Sequence, residues 1–419
     1  MSTVANTGNQ KRYRVLYVEK PVGVGGAVTG LYELVRGLDT DRYEPVVLFY
    51  ERSHPYWEPF EEIGARVVAL NEAPASPLLS ETQASGADQK PEITSNPFSK
   101  LLAKGQRFTK TASQIARAVQ LIKREKIDLV HQNDNLPKNR ETIIAARLAG
   151  VPQISHIRTL AKLSSFDRLV ARCVDRFVYM SRAIEQLYLG HGIPAAKGQV
   201  IYDGFNAEAS EKITPDQIAS IRAEFGLTEQ DQLISNVGRL DSWKGQDYFI
   251  EAIAQIVQLQ PNVKALLVGE ASLDRPWNQE YYQKLQRLVA DLHLTDRVIF
   301  TGLRKDVPQI MAASDIVVHS SSEPEPFGRV IVEAMVAGRP VVATAAGGVL
   351  DIIEDNVTGL LVPLKDAERM AKAIYQLLCQ PERARQMGQD ARQRAKERFS
   401  VEQHCMVIQQ VYQRFLGHG

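Results

Sequence analysis

Two basic side chains on a glycine-flanked segment are of a type and spacing that could bind an anionic group. The segment runs from Gly238 to Gly245, reads GRLDSWKG, and places Arg239 five residues before Lys244. A diphosphate carries concentrated negative charge, which a directional guanidinium and a compact ammonium neutralise well together. The pattern therefore indicates a diphosphate-binding loop. The alternative is a surface loop whose charges face water.

Two glutamates further along the chain, Glu325 and Glu333, have seven residues between them. This spacing is just over two helical turns, so both carboxylates can face one side if a helix begins near Gly328. Carboxylates accept hydrogen bonds from sugar hydroxyls or a ribose diol. General acid–base work is a further option, but retaining glycosidases need carboxyl groups about 5 Å apart, which this spacing does not promise. The alternative of solvated acids is weaker for Glu333, because its neighbours are apolar.

Glycine pairs that precede helices are candidate anion sites, because they offer backbone N–H groups at a helix start. Gly25-Gly26 lies in such a segment near the amino terminus, and Gly347-Gly348 lies in the second half of the chain. The first segment is not a complete dinucleotide-binding fingerprint, because Val28 stands where the third glycine should be. Glycine pairs also serve ordinary turns, so each pair alone leaves both interpretations open.

His156 ends an apolar segment, from which its imidazole could donate to a sugar oxygen or a phosphate. A structural, hydrogen-bonding histidine is the equal alternative. The sequence Asp39-Thr40-Asp41 resembles a metal-binding pair of acids, but it lies between a predicted helix and a predicted strand. We therefore predict a turn there, and we expect no metal and no other cofactor.

Short apolar segments alternate with helical patterns in both halves of the chain, at 13–18, 46–49, 154–157, 233–237, 316–318 and 341–343 among others. This alternation predicts parallel sheets covered by helices on both faces. We therefore predict an α/β protein with two Rossmann-like domains, at 12–205 and 206–402, that face each other across a cleft. The chain after Asp366 is predicted to be helical, with a last helix at 403–419 that packs back on the first domain. The polar segment from 206 to about 230 is the predicted linker, and 71–97 is a predicted loop.

Composition excludes several classes of protein. Fifty basic and 49 acidic side chains give a net charge of +1, which does not indicate a nucleic-acid partner. Three scattered cysteines indicate a reducing compartment without disulfides. The sequence shows no export signal and no apolar stretch near the roughly 20 residues of a membrane span, so we expect a cytoplasmic protein. A basic helical stretch at 98–126 is either a solvated surface or a peripheral contact with the anionic inner face of the cell membrane.

Taken together, the motifs resemble glycosyltransferase family 4 (glycosyl transferases group 1), whose members are retaining enzymes with the two-domain GT-B fold. The segment EPFGRVIVE is similar to the E-x7-E signature of that family. GRLDSWKG before it and AGRPVVATAAGGVLDIIEDNVTGLLVP after it carry the rest of the resemblance. It covers nearly the whole chain and is most specific at 235–363.

The resemblance implies roles on the nucleotide side of a donor site. Arg239 and Lys244 would hold the diphosphate of a nucleotide sugar and neutralise it as the glycosidic bond breaks. Glu333 would bind the ribose. Members of the family need no divalent metal.

The resemblance also implies roles near the transferred sugar. Glu325 and the backbone of Phe327 and Gly328 would face that sugar, and His156 would approach it from the first domain. The Gly25-Gly26 loop would border the phosphate and the acceptor.

We therefore expect a retaining hexosyltransferase that uses a UDP-sugar rather than a GDP-sugar, with a glycan, a lipid-linked or a small-molecule acceptor. The alternatives are a nucleotide-sugar epimerase on the same fold and a sugar-nucleotide-binding module without turnover. Two positions depart from the family pattern. Asp203-Gly204-Phe205-Asn206 stands where relatives often read Asn-Gly-x-Asp, and Glu323 adds an acid before Glu325.

Overall fold

A computed structural model describes residues 11–20, 25–71, 97–272 and 276–417, without the side chains of 97–108 and of Ala209. Within this part of the chain two compact units form. The first unit comprises the described residues of 1–178, 188–199 and 408–419, and the second comprises those of 179–187 and 200–407. Gly23, Val24 and almost all of the predicted loop at 71–97 lie outside the described residues.

The described residues up to 200 alternate between strands and helices, as the sequence predicts. The strands are β1 (Tyr13–Glu19), β2 (Tyr43–Phe49), β3 (Arg66–Ala69), β4 (Leu129–Gln132), β5 (Gln153–Ile157), β6 (Arg176–Tyr179) and β7 (Gly198–Val200). The helices are α1 (Gly26–Arg36), α2 (Trp57–Glu62), α3 (Pro97–Arg124), α4 (Arg140–Ala149), α5 (Ser165–Val170) and α6 (Arg182–Gly190). The strands lie in the order β3-β2-β1-β4-β5-β6-β7, and the pairings from β3 through β5 are parallel.

Most of the basic stretch at 98–126 forms the helix α3, and the described part of this helix has one apolar face and one basic face. Its apolar side chains Ala118, Leu121 and Ile122 are buried against the sheet, in a core that also holds Leu16 and Val130. The basic side chains of its described part, Lys110, Arg117, Lys123 and Arg124, are exposed. In this part of α3 the apolar face is therefore occupied by the protein core, and the outer face carries positive charge.

The second half repeats the alternation with a second sheet. Its strands are β8 (Gln232–Val237), β9 (Val263–Val268), β10 (Val298–Gly302), β11 (Ile316–His319), β12 (Val341–Thr344) and β13 (Leu360–Val362). Its helices are α7 (Glu208–Glu211), α8 (Pro215–Glu224), α9 (Gln246–Ile256), α10 (Pro276–Asp291), α11 (Val307–Ala313), α12 (Arg329–Val336), α13 (Val349–Ile352), α14 (Ala367–Leu378), α15 (Pro381–Arg398) and α16 (Val401–Leu416). The sheet is parallel throughout, in the order β10-β9-β8-β11-β12-β13.

Alternate residues of β8 and β9 face two separate cores, because successive side chains of a strand point to opposite faces. Ile234 packs in the core that contains Phe249 of α9, whereas Leu233 packs in the core that contains Ile221 of α8 and Ile310 of α11. Helices thus cover both faces of the second sheet, which confirms the predicted α/β class.

The described chain tests two local predictions of the sequence. The polar segment after Asn206, predicted to be a linker, contains α7 and α8, and Thr214 and Gln217 form a capping box at the start of α8. Ile221 anchors that helix to the second sheet. Asp39 and Asp41 form a turn as predicted, with Asp41 N–H donating to Asp39 Oδ1.

Within the described ranges, no helix has the length and apolar character needed to span a lipid bilayer.

Candidate functional site

The strand order of the second sheet reverses between β8 and β11, which are neighbours although 78 residues separate the end of β8 from the start of β11. Connections from these two strands leave in opposite directions, and in open α/β sheets ligands bind at the carboxyl ends of strands at such a reversal. The loop at 238–245 follows β8, and the loop at 320–328 follows β11. Both loops carry residues that the sequence singles out.

Arg239 lies on the first of these loops, directly after β8. Its Nη2 donates to Asp241 Oδ2 at 3.1 Å, and its side chain is 42% exposed. The Gln246 side-chain amide donates to the Arg239 carbonyl oxygen at 3.0 Å, which ties the loop to the start of α9. The Arg239 guanidinium is therefore held near the loop but keeps access to solvent.

Lys244 lies at the end of the same loop and contacts the second loop. Its Nζ donates to Glu325 Oε1 at 3.0 Å and to Oε2 at 3.1 Å, and it lies 4.1 Å from the centre of the Trp243 ring. Both members of the ion pair are largely buried, with side chains 19% and 10% exposed. The fold thus joins the GRLDSWKG and E-x7-E motifs through one buried ion pair.

Glu325 has further polar partners on β11 and the loop after it. The Ser321 hydroxyl donates to Glu325 Oε2 at 2.8 Å, and His319 Nε2 lies 3.3 Å from the same oxygen. Burial alone opposes ionisation, but the charge of Lys244 and the hydrogen bonds from His319 and Lys244 outweigh it and hold the pKa of Glu325 well below its usual range. The carboxylate is therefore ionised and fixed in orientation.

Two glycines allow these loops to approach closely. Gly245 has φ +65°, and a Cβ at this position would lie 2.2 Å from the Ser320 carbonyl oxygen. Gly347 has φ +68°, and its Cβ would lie 2.1 Å from the Glu325 carbonyl oxygen. The Gly348 N–H donates to that carbonyl oxygen at 2.7 Å. Gly347-Gly348, a candidate anion site by sequence, thus holds the Glu325 backbone in this structure.

Phe327 and Gly328 connect the second loop to α12. The Phe327 ring is buried among Tyr202, Phe205 and Phe399, so only its backbone is available to a ligand. Gly328 has φ +113°, a conformation that side chains disfavour, and α12 begins at the next residue.

Glu333 lies on α12 with its side chain 42% exposed. Its nearest charged partner is Arg329, one turn earlier, whose Nη2 is 4.0 Å from Glu333 Oε1. Arg329 Nη1 also lies 3.5 Å from the buried carboxylate of Asp203, the position that departs from the family pattern. Asp203 therefore has a cationic partner on the helix that carries Glu333.

The remaining predicted site residues lie in the first unit. Gly25 precedes α1, and the Thr29 hydroxyl donates to its carbonyl oxygen at 3.1 Å. Gly26 is the first residue of α1. His156 is fully buried on β5, and its Nδ1 lies 3.3 Å from His131 Nε2.

A buried polar cluster at the carboxyl ends of β1 and β4 was not singled out from the sequence. Asn133 Nδ2 donates to Glu19 Oε2 there, and Arg158 Nε donates to Asn133 Oδ1 at 2.5 Å. Burial raises the pKa of Glu19 to about 7, against the opposing hydrogen bond from Asn133. The signal in the sequence was the run of polar residues, HQND, which begins with the last two residues of β4.

Comparison with protein families identifies the class of this chain. Residues 25–204 match the glycosyl transferase 4-like domain, and residues 217–394 match the glycosyl transferases group 1 family. Together with the two parallel sheets, these matches show that the chain belongs to the GT-B glycosyltransferases of group 1, or family 4. This confirms the resemblance inferred from the motifs.

Several named relatives are similar to this chain. It is 32% identical over 257 residues to a D-inositol 3-phosphate glycosyltransferase of Mycobacteroides abscessus, an alignment that covers 60% of this chain and 53% of the relative. It is 32% identical over 195 residues to N-acetyl-alpha-D-glucosaminyl L-malate synthase of Bacillus anthracis, covering 46% and 49%. The matched region thus spans about half the length of these relatives.

Solved structures extend the likeness over nearly the whole chain. The crystal structure of Anabaena HepE in complex with UDP has a TM-score of 0.78 and 28% identity, and the match covers 95% of this chain and 99% of HepE. The complex of HepE with UDP-glucose has a TM-score of 0.76, 27% identity and the same coverage.

Proposed function

We propose that this protein transfers a hexose from a UDP-sugar to a hydroxyl acceptor, with retention of configuration and without a metal ion. The observation that carries the proposal is the buried Lys244–Glu325 ion pair, which unites two motifs of the family at the strand-order reversal of the second sheet. In this proposal the second unit binds the donor. The acceptor is a glycan, a lipid-linked or a small molecule, and the first unit shapes its site.

The proposed donor contacts follow from the charges already in place. An ammonium has three N–H donors, and Lys244 directs hydrogen bonds to the two oxygens of Glu325. One N–H of Lys244 can therefore bind a phosphate oxygen while Glu325 stays bound. Arg239 can turn from Asp241 towards the diphosphate, because its side chain is half exposed. The carboxylate of Glu325 then orients the ammonium and accepts a hydrogen bond from the sugar.

The proposed reaction balances without a nucleophile from the protein. The bond between the sugar C1 and the diphosphate oxygen breaks, and its electron pair leaves with UDP. The acceptor oxygen forms the new bond to C1 on the same face, and its proton passes to the departing phosphate. Negative charge grows on the phosphate in this step, where Arg239 and Lys244 stabilise it. His156 contacts the transferred sugar in this proposal, and Gly25 and Gly26 leave room for the phosphate and acceptor.

The preference for uridine rests on the likeness to HepE, whose structures contain UDP and UDP-glucose. The test is a screen of UDP-glucose, UDP-galactose, UDP-N-acetylglucosamine and GDP-mannose by thermal unfolding. A nucleotide sugar that binds only the native state adds about 2.7 kcal/mol to the free energy of unfolding when its concentration is about 100 times Kd. This added stability raises Tm. We expect UDP-sugars to raise Tm more than GDP-mannose does, and we expect slow hydrolysis of the UDP-sugar that EDTA does not inhibit.

Analysis of the released sugar and of products formed with added acceptors then distinguishes the outcomes. A free α-configured sugar or an α-linked glycoside supports a retaining transferase. An interconverted nucleotide sugar would support an epimerase, and binding without any turnover would support a binding module. No Tm shift with any nucleotide sugar would contradict the proposal.

Replacement of Glu333 by alanine is expected to weaken UDP binding about 10- to 100-fold, because a carboxylate that binds a ribose diol makes charge-assisted hydrogen bonds of about 1.5–3 kcal/mol. Isothermal titration calorimetry with UDP measures the change. Glu368→Ala is the matched control, since Glu368 also lies on a helix surface and pairs with a cation one turn away, Lys372. If Glu333→Ala and Glu368→Ala bind UDP with equal affinity, Glu333 does not bind the ribose.

We also propose that α3 contacts anionic membranes electrostatically, because the apolar face of the described part of this helix packs on the sheet. Sedimentation with anionic liposomes should therefore occur at low salt and disappear at about 0.5 M salt, where charges are screened within a few ångströms. Lys123→Glu/Arg124→Glu should reduce binding, and neutral liposomes are the control. Equal sedimentation with neutral and anionic liposomes would contradict the proposal.

A further inference from the structure

The hydroxyl group of Ser181 is bound to the loop that carries Glu325. Ser181 is fully buried, and it follows β6 in the short segment 179–187, which belongs to the second unit. Its Oγ lies 2.6 Å from the Pro326 carbonyl oxygen and 3.3 Å from the Ile184 nitrogen. A carbonyl oxygen only accepts, so the single hydroxyl proton is donated to Pro326, and the hydroxyl oxygen accepts from the Ile184 N–H. The same hydroxyl thus caps the start of α6 and holds the loop.

Two consecutive carbonyl groups of this loop are fixed by hydrogen bonds. The Glu325 carbonyl oxygen accepts from the Gly348 N–H at 2.7 Å, and the next carbonyl, that of Pro326, accepts from Ser181. The peptide between Pro326 and Phe327 is also packed against Gly348, where a Cβ would lie 2.6 Å from the Pro326 oxygen and 3.0 Å from the Phe327 nitrogen. This peptide therefore cannot turn without losing the hydrogen bond from Ser181.

The orientation of that peptide decides where the Phe327 N–H points. The described residues contain only trans peptide bonds, and in a planar trans peptide the C=O and N–H groups point in opposite directions. Because its C=O is directed to Ser181, the peptide directs the Phe327 N–H away from Ser181. Within the described ranges this N–H has no hydrogen-bond acceptor, although Phe327 is buried. A buried donor in this situation lowers stability unless a ligand or water accepts from it.

We propose that Ser181 is a positioning residue for donor recognition, whose hydroxyl holds the Pro326–Phe327 peptide so that the Phe327 N–H donates to an oxygen of the transferred sugar. This rests on the proposed function, in which Glu325 of the same loop accepts a hydrogen bond from that sugar. An N–H donor and a carboxylate acceptor two residues apart suit the hydroxyl groups of a sugar, which both donate and accept. Ser181 acts through the peptide and not through a contact of its own.

The hydrogen bond is tested by NMR of the whole chain labelled with carbonyl-13C proline and 15N phenylalanine. Such labelling gives one signal for each Pro-Phe pair, and the sequence contains three, at 59–60, 97–98 and 326–327. Pro59→Ala and Phe98→Leu each remove one of the other two signals and so identify the third. Ser181→Ala should shift this signal, because the Pro326 carbonyl loses its donor. A signal that stays at the wild-type position would overturn the proposal.

Calorimetry tests the consequence for the donor. The probes are UDP and the best-binding UDP-sugar of the thermal screen. Ser181→Ala should leave the Kd of UDP unchanged and raise the Kd of the UDP-sugar about two- to tenfold, as the loss of one hydrogen bond implies. In the wild type, the amide proton of Phe327 should shift when the UDP-sugar is added and much less when UDP is added.

Thr214→Ala is the matched control for the loss of a helix cap. Thr214 caps α8 of the same unit, and its hydroxyl accepts from the Gln217 N–H at 3.3 Å, the distance found for Ser181 and Ile184. Thr214→Ala should lower Tm and leave both Kd values unchanged. Ser181→Gly is the second variant, since glycine is a better cap than alanine. It should retain more stability than Ser181→Ala and lose the same UDP-sugar affinity.

The outcomes separate this proposal from the proposed function. If both Ser181 variants lower Tm but keep the wild-type Kd for the UDP-sugar, Ser181 is a helix cap alone and the positioning role is overturned. If the wild type binds a UDP-sugar without turning it over, and Ser181→Ala weakens that binding, the positioning by Ser181 stands and the transferase function fails. A wild type that binds UDP but no UDP-sugar would overturn both.

Discussion

Replacing Lys244 with methionine is expected to reduce turnover of a UDP-sugar at least ~10²-fold, because a preorganised charge that stabilises the departing phosphate is lost. The same change leaves the Glu325 carboxylate buried without its ammonium partner. Breaking a buried ion pair on one side costs up to roughly 3–5 kcal/mol of unfolding free energy. A loss of activity alone would therefore not distinguish catalysis from folding.

The double variant Lys244→Met/Glu325→Gln makes that distinction. It removes both charges, so we expect its Tm to return most of the way to that of the wild type while its kcat stays reduced at least ~10²-fold. Lys284→Met is the control, since Lys284 lies on α10 of the same unit and pairs with a carboxylate, Asp247 at 2.8 Å, while its own side chain is 57% exposed. Turnover of the Lys244→Met protein within threefold of the wild type would rule out its role at the diphosphate.

Replacing Gly245 with alanine is expected to reduce both stability and turnover, although no charge changes. A Cβ on Gly245 would lie 2.2 Å from the Ser320 carbonyl oxygen and 3.1 Å from the Ser322 nitrogen, so the two loops must separate. The hydrogen bond from Ser322 N–H to the Trp243 carbonyl oxygen, 2.8 Å, would then lengthen. Lys244 follows Trp243 and would move from Glu325. A displacement of about 1 Å can cost ~10²-fold in turnover.

Gly226→Ala is the control for this change. Gly226 has nearly the same backbone conformation, φ +62° against φ +65°, but its Cβ would meet no atom of the described residues within 4 Å. Gly226→Ala therefore lowers the free energy of unfolding only by the strain of a left-handed residue, about 1–2 kcal/mol. Gly245→Ala has the same strain and also the collision of its Cβ with the Ser320 carbonyl oxygen. Urea unfolding and kcat measure both variants. If the two variants lose equal stability and Gly245→Ala keeps its turnover, the close contact of the loops has no functional role.

The sequence alone was sufficient for most of the strands and for the positions of the motifs on the elements. The apolar segments became strands because residues such as Leu233 and Ile234 pack on opposite faces of a sheet, which a continuous apolar run indicates. Gly328 was placed correctly at the start of α12, since a helix with one apolar face follows it. These features depend on neighbours within a few residues, so local sequence contains the information.

The tertiary structure decided which of these residues meet. Lys244 and Glu325 are 81 positions apart, and they touch because β8 lies beside β11 rather than beside β12 or β13. An apolar pattern specifies that a strand is buried but not which strand lies next to it. Tyr412 and His131, 281 positions apart, meet for the same reason, since a helix with one apolar face does not specify the sheet on which it packs. The partners of these side chains therefore followed from strand order and helix docking.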